Sequence, residues 1–251
     1  MKIGILQTGK VNEALVGTFG EYPPMMEALF AEAAPDFTFE AWPVVDNVLP
    51  PGPNAADAWL VTGSRHGVYD PLPWMEPLKD FLRRARAAHR PVLGICFGHQ
   101  IVAEAFGGRA VKSDKGWGLG HHTYRVLARP GWMADAPAEL GLHALHQDQV
   151  VELPSDATLL AESAFCPMAM LAYGDPEAPD AVTVQPHPEF DAAFTGALIA
   201  RIAEDGRAPR DRSDEALAAL DGANTLTPSA RAFARWAASF LRQAATRADA
   251  A

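Results

Sequence analysis

Cysteine is scarce in this chain of 251 residues: there are two, Cys96 and Cys166, too few for a disulfide framework. That excludes the small stapled secreted scaffolds and fits a reducing compartment, so a cytoplasmic protein is expected. Positive charge is also in short supply. Lys and Arg number 21 against 31 Asp and Glu, a formal net charge of −10. The basic footprint of a general nucleic-acid or membrane-surface binder is missing, and neither partner is expected. No apolar run is long enough to span a bilayer. The apolar stretch within MKIGILQTGK is too short for a secretory signal. There is no G-x-x-x-x-G-K-[ST] phosphate loop, no internal repeat and no low-complexity tract. The hydrophobic fraction of 49% and charged fraction of 21% are those of an ordinary globular chain, large enough for one sizeable core with an appendage.

What is present is an alternation of short apolar runs and helical patterns. KIGILQ (2–7), FTFEAW (37–42), AWLVTGS (58–64) and PVLGIC (91–96) read as strands. Between and after them, residues 21–34, 71–90 and 97–108 carry helical spacing, with basic residues late in the second and glycines closing the third. Residues 44–57 read as a loop. This alternation predicts βαβ units in an open, mostly parallel sheet flanked by helices. Residues 116–128, 144–154 and 157–163 read as shorter strands of a small antiparallel section, and 168–174 and 181–190 as buried strands again. From residue 191, two helical patterns flank the polar, loop-rich stretch 207–228, and ATRADAA at the end is expected to fray. The predicted organisation is a catalytic domain over 1–190 and a helical extension over 191–251 packed on it.

In such sheets ligands bind beyond the carboxyl ends of the strands. Three strand ends carry chemistry here: Thr62-Gly63-Ser64, Cys96 and His187. Cys96 sits in Gly94-Ile95-Cys96-Phe97-Gly98, the G-x-S-x-G elbow pattern with cysteine in the serine position. Glycines make room for a tight strand-to-helix turn, and the helix N-terminus directs its N–H groups and positive end at the sulfur, which favours thiolate. The N–H of Phe97 can hold an oxyanion after attack on a carbonyl. A buried packing cysteine is the competing reading of the same residue.

A thiol nucleophile needs a base and the base an orienter. Of eight histidines, His66 and His99 lie near the elbow but suit a scaffold role, and His89 ends a helix. His121 and His122 are adjacent and point opposite ways on a strand. His143 and His146 have helical spacing without a metal motif. His187 differs, because VTVQPHPEF places it at the end of an apolar strand with Glu189 two residues on. In an extended segment the two share a face, so Glu189 can fix the imidazole tautomer, and Pro186 and Pro188 stiffen the segment. H-P-E alone also fits a paired core histidine; its coexistence with the elbow gives it weight. Cys166, in A-F-C-P-M, has an apolar context and no elbow and reads as core.

Taken together, G-I-C-F-G-H-Q and H-P-E resemble the nucleophile and His/Glu pair of the class I, triad-type glutamine amidotransferases, in that family's chain order and over roughly residues 1–190. The likeness is greatest to the glutaminase domains of GMP synthase-like proteins, especially stand-alone ones. It implies a flavodoxin-like open α/β fold, with Cys96 as nucleophile, His187 as base and Glu189 as orienter. It implies an oxyanion hole from the N–H groups of Gly63 and Phe97. It also implies substrate contacts by Gln100, by Gly116 and Trp117 of G-W-G, and by His146 and Asp148. Gln147 stands where the family's H-G-D has glycine, and V-T-G-S replaces the commoner G-G-P-x-S. Tyr69 and Trp74 could close over the pocket, though packing suits them better.

The implied reaction is hydrolysis of the glutamine γ-amide through a γ-glutamyl thioester, with no metal or organic cofactor. The S-G-G-x-D-S loop of ATP pyrophosphatases is absent, so ammonia is expected to pass to a separate synthetase. Two other functions fit the same residues. One is a stand-alone γ-glutamyl peptide or amide hydrolase with a pocket open beyond the scissile bond. The other is a catalytically idle regulatory module.

Overall fold

The computed structural model describes residues 1–250, with side chains through 247. The first half follows the predicted alternation. Strand β1 (Lys2–Leu6) leads through α1 (Glu13–Phe19) and α2 (Tyr22–Phe30) to β2 (Thr38–Trp42). Strand β3 (Ala58–Val61), α3 (Met75–Ala87), β4 (Val92–Ile95) and α4 (Phe97–Ala105) follow. The second half holds β5 (Arg109–Lys112), β6 (Gly118–Val126), β7 (Glu139–His146), β8 (Asp148–Glu152), β9 (Ala157–Glu162), β10 (Met170–Tyr173) and β11 (Ala181–Val184). Helices α5 (Ala192–Glu204), α6 (Arg210–Ala219) and α7 (Pro228–Ala250) end the chain.

Among the described residues, nine strands form one sheet in the order β2-β1-β3-β4-β11-β10-β9-β6-β7. From β2 to β11 neighbours are parallel, and from β11 to β7 they are antiparallel. Only β6 and β10 run against the rest. Strands β3, β4 and β11 are buried at every position, as expected of strands covered on both faces. One face packs against α2 and α7 through residues such as Met26, Phe30, Phe233 and Leu241. The other packs against α3 and α4 through Leu78, Phe81, Ile101 and Val102. Their register aligns Val61 with Gly94 and Ile95 with Val184, which brings three carboxyl ends to one edge. No helix among the described residues is long and apolar enough to cross a membrane.

Three expectations need correction. The stretch 144–154 is two strands, because the chain turns at Gln147 and β8 leaves the main sheet to pair with β5. The stretch 207–228 is not all loop, because it contains α6. That helix buries only Ser213 and Ala216 and so shows no apolar stripe. His143 and His146 lie on β7, not on a helix. At the C-terminus, where fraying was expected, α7 is helical to Ala250, and residue 251 lies outside the described residues.

Candidate active site

Cys96 stands between β4 and α4 with φ +55° and ψ −103°, a conformation that a side chain other than glycine adopts only under constraint. The constraint is visible on both sides. A Cβ on Gly94 would lie 2.5 Å from the Gly98 carbonyl oxygen, and one on Gly98 would lie 2.3 Å from the Val61 carbonyl oxygen. Strand and helix therefore touch at two glycines, and the residue between them is turned outward over the sheet edge. The Cys96 N–H donates to the Val184 carbonyl at 2.9 Å, fixing the turn to β11. The thiol is 5% exposed, at the floor of a cleft of about 730 Å³ that it lines.

His187 follows β11 and is 4% exposed. Its backbone N–H donates to the His143 carbonyl at 2.8 Å, which ties this segment to β7. Its Nδ1 lies 2.7 Å from Glu189 Oε1, with the Glu189 side chain fully buried. The ring stacks on Phe190 at a centroid distance of 4.0 Å and an angle of 5°, and Phe194 meets Phe190 edge-on at 4.6 Å. The imidazole is thus held by a carboxylate at one nitrogen and an aromatic wall on one face. Nε2 makes no hydrogen bond of ordinary geometry. A methyl group on Gly63 would sit 3.1 Å from His187 Cε1 and 3.8 Å from Cys96 Cβ, so imidazole and thiol flank the same point. Burial opposes the charged ring, but Glu189, then Cys96, outweigh it and hold His187 up at about 10.

Gly63 follows β3, and its carbonyl accepts from the Thr62 and Thr8 hydroxyls at 3.1 and 3.3 Å, which orients the peptide carrying its neighbour's N–H. Phe97 is wholly buried and opens α4, where the first N–H groups of a helix lack intrahelical partners. Gln100 lines the cleft. Its amide N–H groups donate to the Asp148 carbonyl at 3.0 Å and to Gln185 Oε1 at 3.2 Å, so its oxygen is left to accept.

His146, Gln147 and Asp148 also line the cleft. His146 Nδ1 meets the Asp148 carbonyl at 3.1 Å, and burial pushes the ring down to about 3, so it is neutral. Burial raises the Asp148 carboxyl from its ordinary range, against the lowering influence of the nearby Tyr69 hydroxyl. Trp117 lines the cleft, but its neighbour Gly116 does not.

Tyr69 departs from the packing role expected of it. It is 55% exposed, lines the cleft and reaches Asp148 from the loop after β3. Trp74 is buried against Phe97, as packing requires. His66 borders the cleft, whereas His99 is buried below it on Thr183 Oγ1 at 2.8 Å. Cys166 is buried in the core, and burial pushes its thiol up to about 12. No group of three or more His, Cys, Asp or Glu among the described residues is placed to hold a metal ion.

The sequence reading missed one wall. Leu198, Arg201, Ile202, Asp205 and Arg207, from α5 and the turn after it, line the cleft together with the loop after β3. Only the apolar spacing of α5 hinted at this, and spacing does not say where a helix docks.

Comparison with known proteins places these residues in context. Residues 40–201 match the family described as Glutamine amidotransferase class-I. Gamma-glutamyl peptidase 3 of Arabidopsis thaliana is 27% identical over 220 residues, 84% of this chain and 86% of the relative. One of the subunits of the glutamine-hydrolyzing GMP synthase of Methanospirillum hungatei is 34% identical over 107 residues, 43% of this chain and 55% of the relative. Among solved structures, a glutamine amidotransferase from Thermotoga maritima shares the fold, with a TM-score of 0.72 at 19% identity over 97% of this chain and 98% of the other.

Proposed function

This chain belongs to the class-I glutamine amidotransferase family, and from that premise we propose that it hydrolyses γ-glutamyl amide bonds through Cys96, His187 and Glu189. The observation that carries the reading is the meeting of three strand ends at the floor of one cleft. There a thiol on a constrained elbow faces an imidazole braced by a buried carboxylate. The Cys96 sulfur attacks the γ-carbonyl carbon, and the N–H groups of Gly63 and Phe97 receive the oxyanion. His187, as imidazolium, protonates the departing amine as the C–N bond breaks, leaving a γ-glutamyl thioester. His187 then takes a proton from water as its oxygen attacks the thioester; the C–S bond breaks and the thiolate returns. Gln100, Trp117, His146 and Asp148 hold the γ-glutamyl unit. The chemistry asks for no metal or organic cofactor. Two free cysteines fit a reducing, cytoplasmic setting.

The substrate we favour is a γ-glutamyl peptide. A cleft of about 730 Å³ is the size that takes drug-sized ligands and leaves space beyond a single glutamine. The likeness to a gamma-glutamyl peptidase along most of the chain supports the same choice. A second reading, a glutaminase that passes ammonia to a separate synthetase, draws on the likeness to part of a GMP synthase. An idle regulatory module is disfavoured by the alignment of thiol, imidazole and carboxylate.

The deciding experiment is amide hydrolysis by the purified protein, with glutamine and several γ-glutamyl dipeptides side by side. Fast dipeptide cleavage with glutamine nearly untouched supports the peptidase. Slow glutamate release from glutamine alone supports the ammonia-donating glutaminase. No release from any of them sinks the catalytic reading.

A further inference from the structure

The wall formed by the end of α5 lies mostly past residue 201, where the family match stops. Helix α5 closes on Gly206 at φ +68°, and the Arg207 N–H donates back to the Ile202 carbonyl at 2.9 Å. The Arg207 carbonyl then accepts the indole N–H of Trp117 at 2.9 Å. Arg212 donates to the Trp117 carbonyl at 3.4 Å, so Trp117 is fastened at both its ring and its backbone. Beneath these bonds Trp117 and Leu119 pack against Ile199, Ile202 and Leu217. The backbone of Arg207 is therefore fixed at its N–H and its C=O.

Its side chain is not so committed. Neighbouring Arg201 is paired with Glu204 and Asp205. Arg207 lines the cleft and has no carboxylate within ion-pair distance among the described residues. Its charge reaches Tyr22 and His66 across the cleft, and Tyr22 in turn feels Cys96 and Glu189. In a chain of net charge −10, an unpaired guanidinium on an anchored backbone, lining the same cleft as Cys96, is placed to receive an anion. A guanidinium fork matches a carboxylate better than any other side chain does.

We infer that Arg207 is a specificity-determining residue that binds a carboxylate of the substrate, and that Trp117 positions it. The inference rests on the γ-glutamyl reading above. Such a substrate offers this chemistry from two sources: the α-carboxylate of the γ-glutamyl unit and the C-terminal carboxylate of the departing residue.

The test is steady-state kinetics of the wild type, Arg207→Gln, Arg207→Lys and Trp117→Phe, each first shown folded by circular dichroism and thermal melting. Three substrates are compared: γ-glutamylglycine, its C-terminal amide, and 4-aminobutanoylglycine, which lacks the α-carboxylate. On the dipeptide, Arg207→Gln should raise KM about 10- to 100-fold, the range of a lost charge-assisted hydrogen bond, with kcat nearly kept. On one of the two truncated substrates that penalty should vanish, which identifies the carboxylate bound. Arg207→Lys should restore part of the affinity. Trp117→Phe, which exchanges the indole for a phenyl ring and loses its N–H, should raise KM for the dipeptide by less than Arg207→Gln does, and by more than it raises KM for that truncated substrate. An equal loss on all three substrates, or no loss on any, overturns the assignment while leaving the reaction in place. Failure of the wild type to cleave any of them overturns the reaction and the assignment together.

Discussion

Replacing Glu189 with Gln removes a charge from the site with almost no change of shape. Glu189 Oε1 is 2.7 Å from His187 Nδ1 in surroundings without solvent. Burial on its own works against the imidazolium, and Glu189 is the largest influence opposing it. An amide oxygen still accepts from Nδ1–H but offers no charge. A hydrogen bond to a charged group contributes about 1.5–3 kcal/mol and a neutral one about 1 kcal/mol, so the variant loses about 0.5–2 kcal/mol. If that difference acts in the transition state, kcat/KM falls about 2- to 30-fold.

The pH dependence has a definite sign. His187 is held at about 10, above its ordinary 6.5, so the acid that protonates the leaving amine persists until pH passes about 10. Without the carboxylate's charge the largest influence opposing burial is gone and this pKa falls, moving the alkaline limb of kcat/KM to lower pH. The raised pKa also stabilises the fold, in full below about 6.5 and not at all above about 10. The melting deficit of Glu189→Gln should accordingly narrow as pH rises through that upper value. The assay is kcat/KM for a γ-glutamyl dipeptide from neutral into strongly alkaline pH, with melting curves in the same buffers. An unmoved alkaline limb with an undiminished rate would refute the reasoning.

Three further substitutions probe neighbouring parts of the site. Cys96→Ser should abolish turnover and leave the circular dichroism spectrum unchanged; full activity would move the nucleophile elsewhere. Gly63→Ala places a methyl 3.1 Å from His187 Cε1, closer than carbon atoms normally approach, and should lower kcat at least about tenfold with little change in Tm. Equal kcat would mean that the ring has room to move. Gly98→Ala drives a methyl to 2.3 Å from the Val61 carbonyl oxygen. Overpacking of that kind costs about 1–3 kcal/mol, which in a chain of this size lowers Tm by about 2–4 °C per kcal/mol. An unchanged melting curve would contradict the contact between α4 and β3.

The alternation of strand and helix was legible because β1, β3, β4 and β11 are largely buried and read as mainly apolar runs. Elements that bury little were not. Helix α1 has seven residues and buries none of them fully, and α6 buries only two, so neither carries a long apolar stripe. Strand β5 has four residues and pairs only with β8, outside the main sheet. The break at Gln147 was hidden because residues 144–154 are apolar on both sides of it. At the site, Cys96, His187 and Glu189 were readable because their spacing along the chain is local and their strand ends were recognisable. Tyr69 and Arg207 were not, since their places depend on how a loop and a helix end fold back over the cleft, a long-range matter that no local pattern encodes.

At one residue, stability and the catalytic role proposed for it pull in opposite directions. Cys96 holds φ +55°, a backbone region that costs a side chain of this kind about 1–3 kcal/mol and that glycine enters freely. Glycine is therefore the replacement that relieves the backbone, and it is also one that deletes the sulfur. Stability-guided redesign, blind to activity, would be drawn to this position early and would erase the proposed nucleophile. On the proposed reading, it is turnover that keeps a thiol at this position.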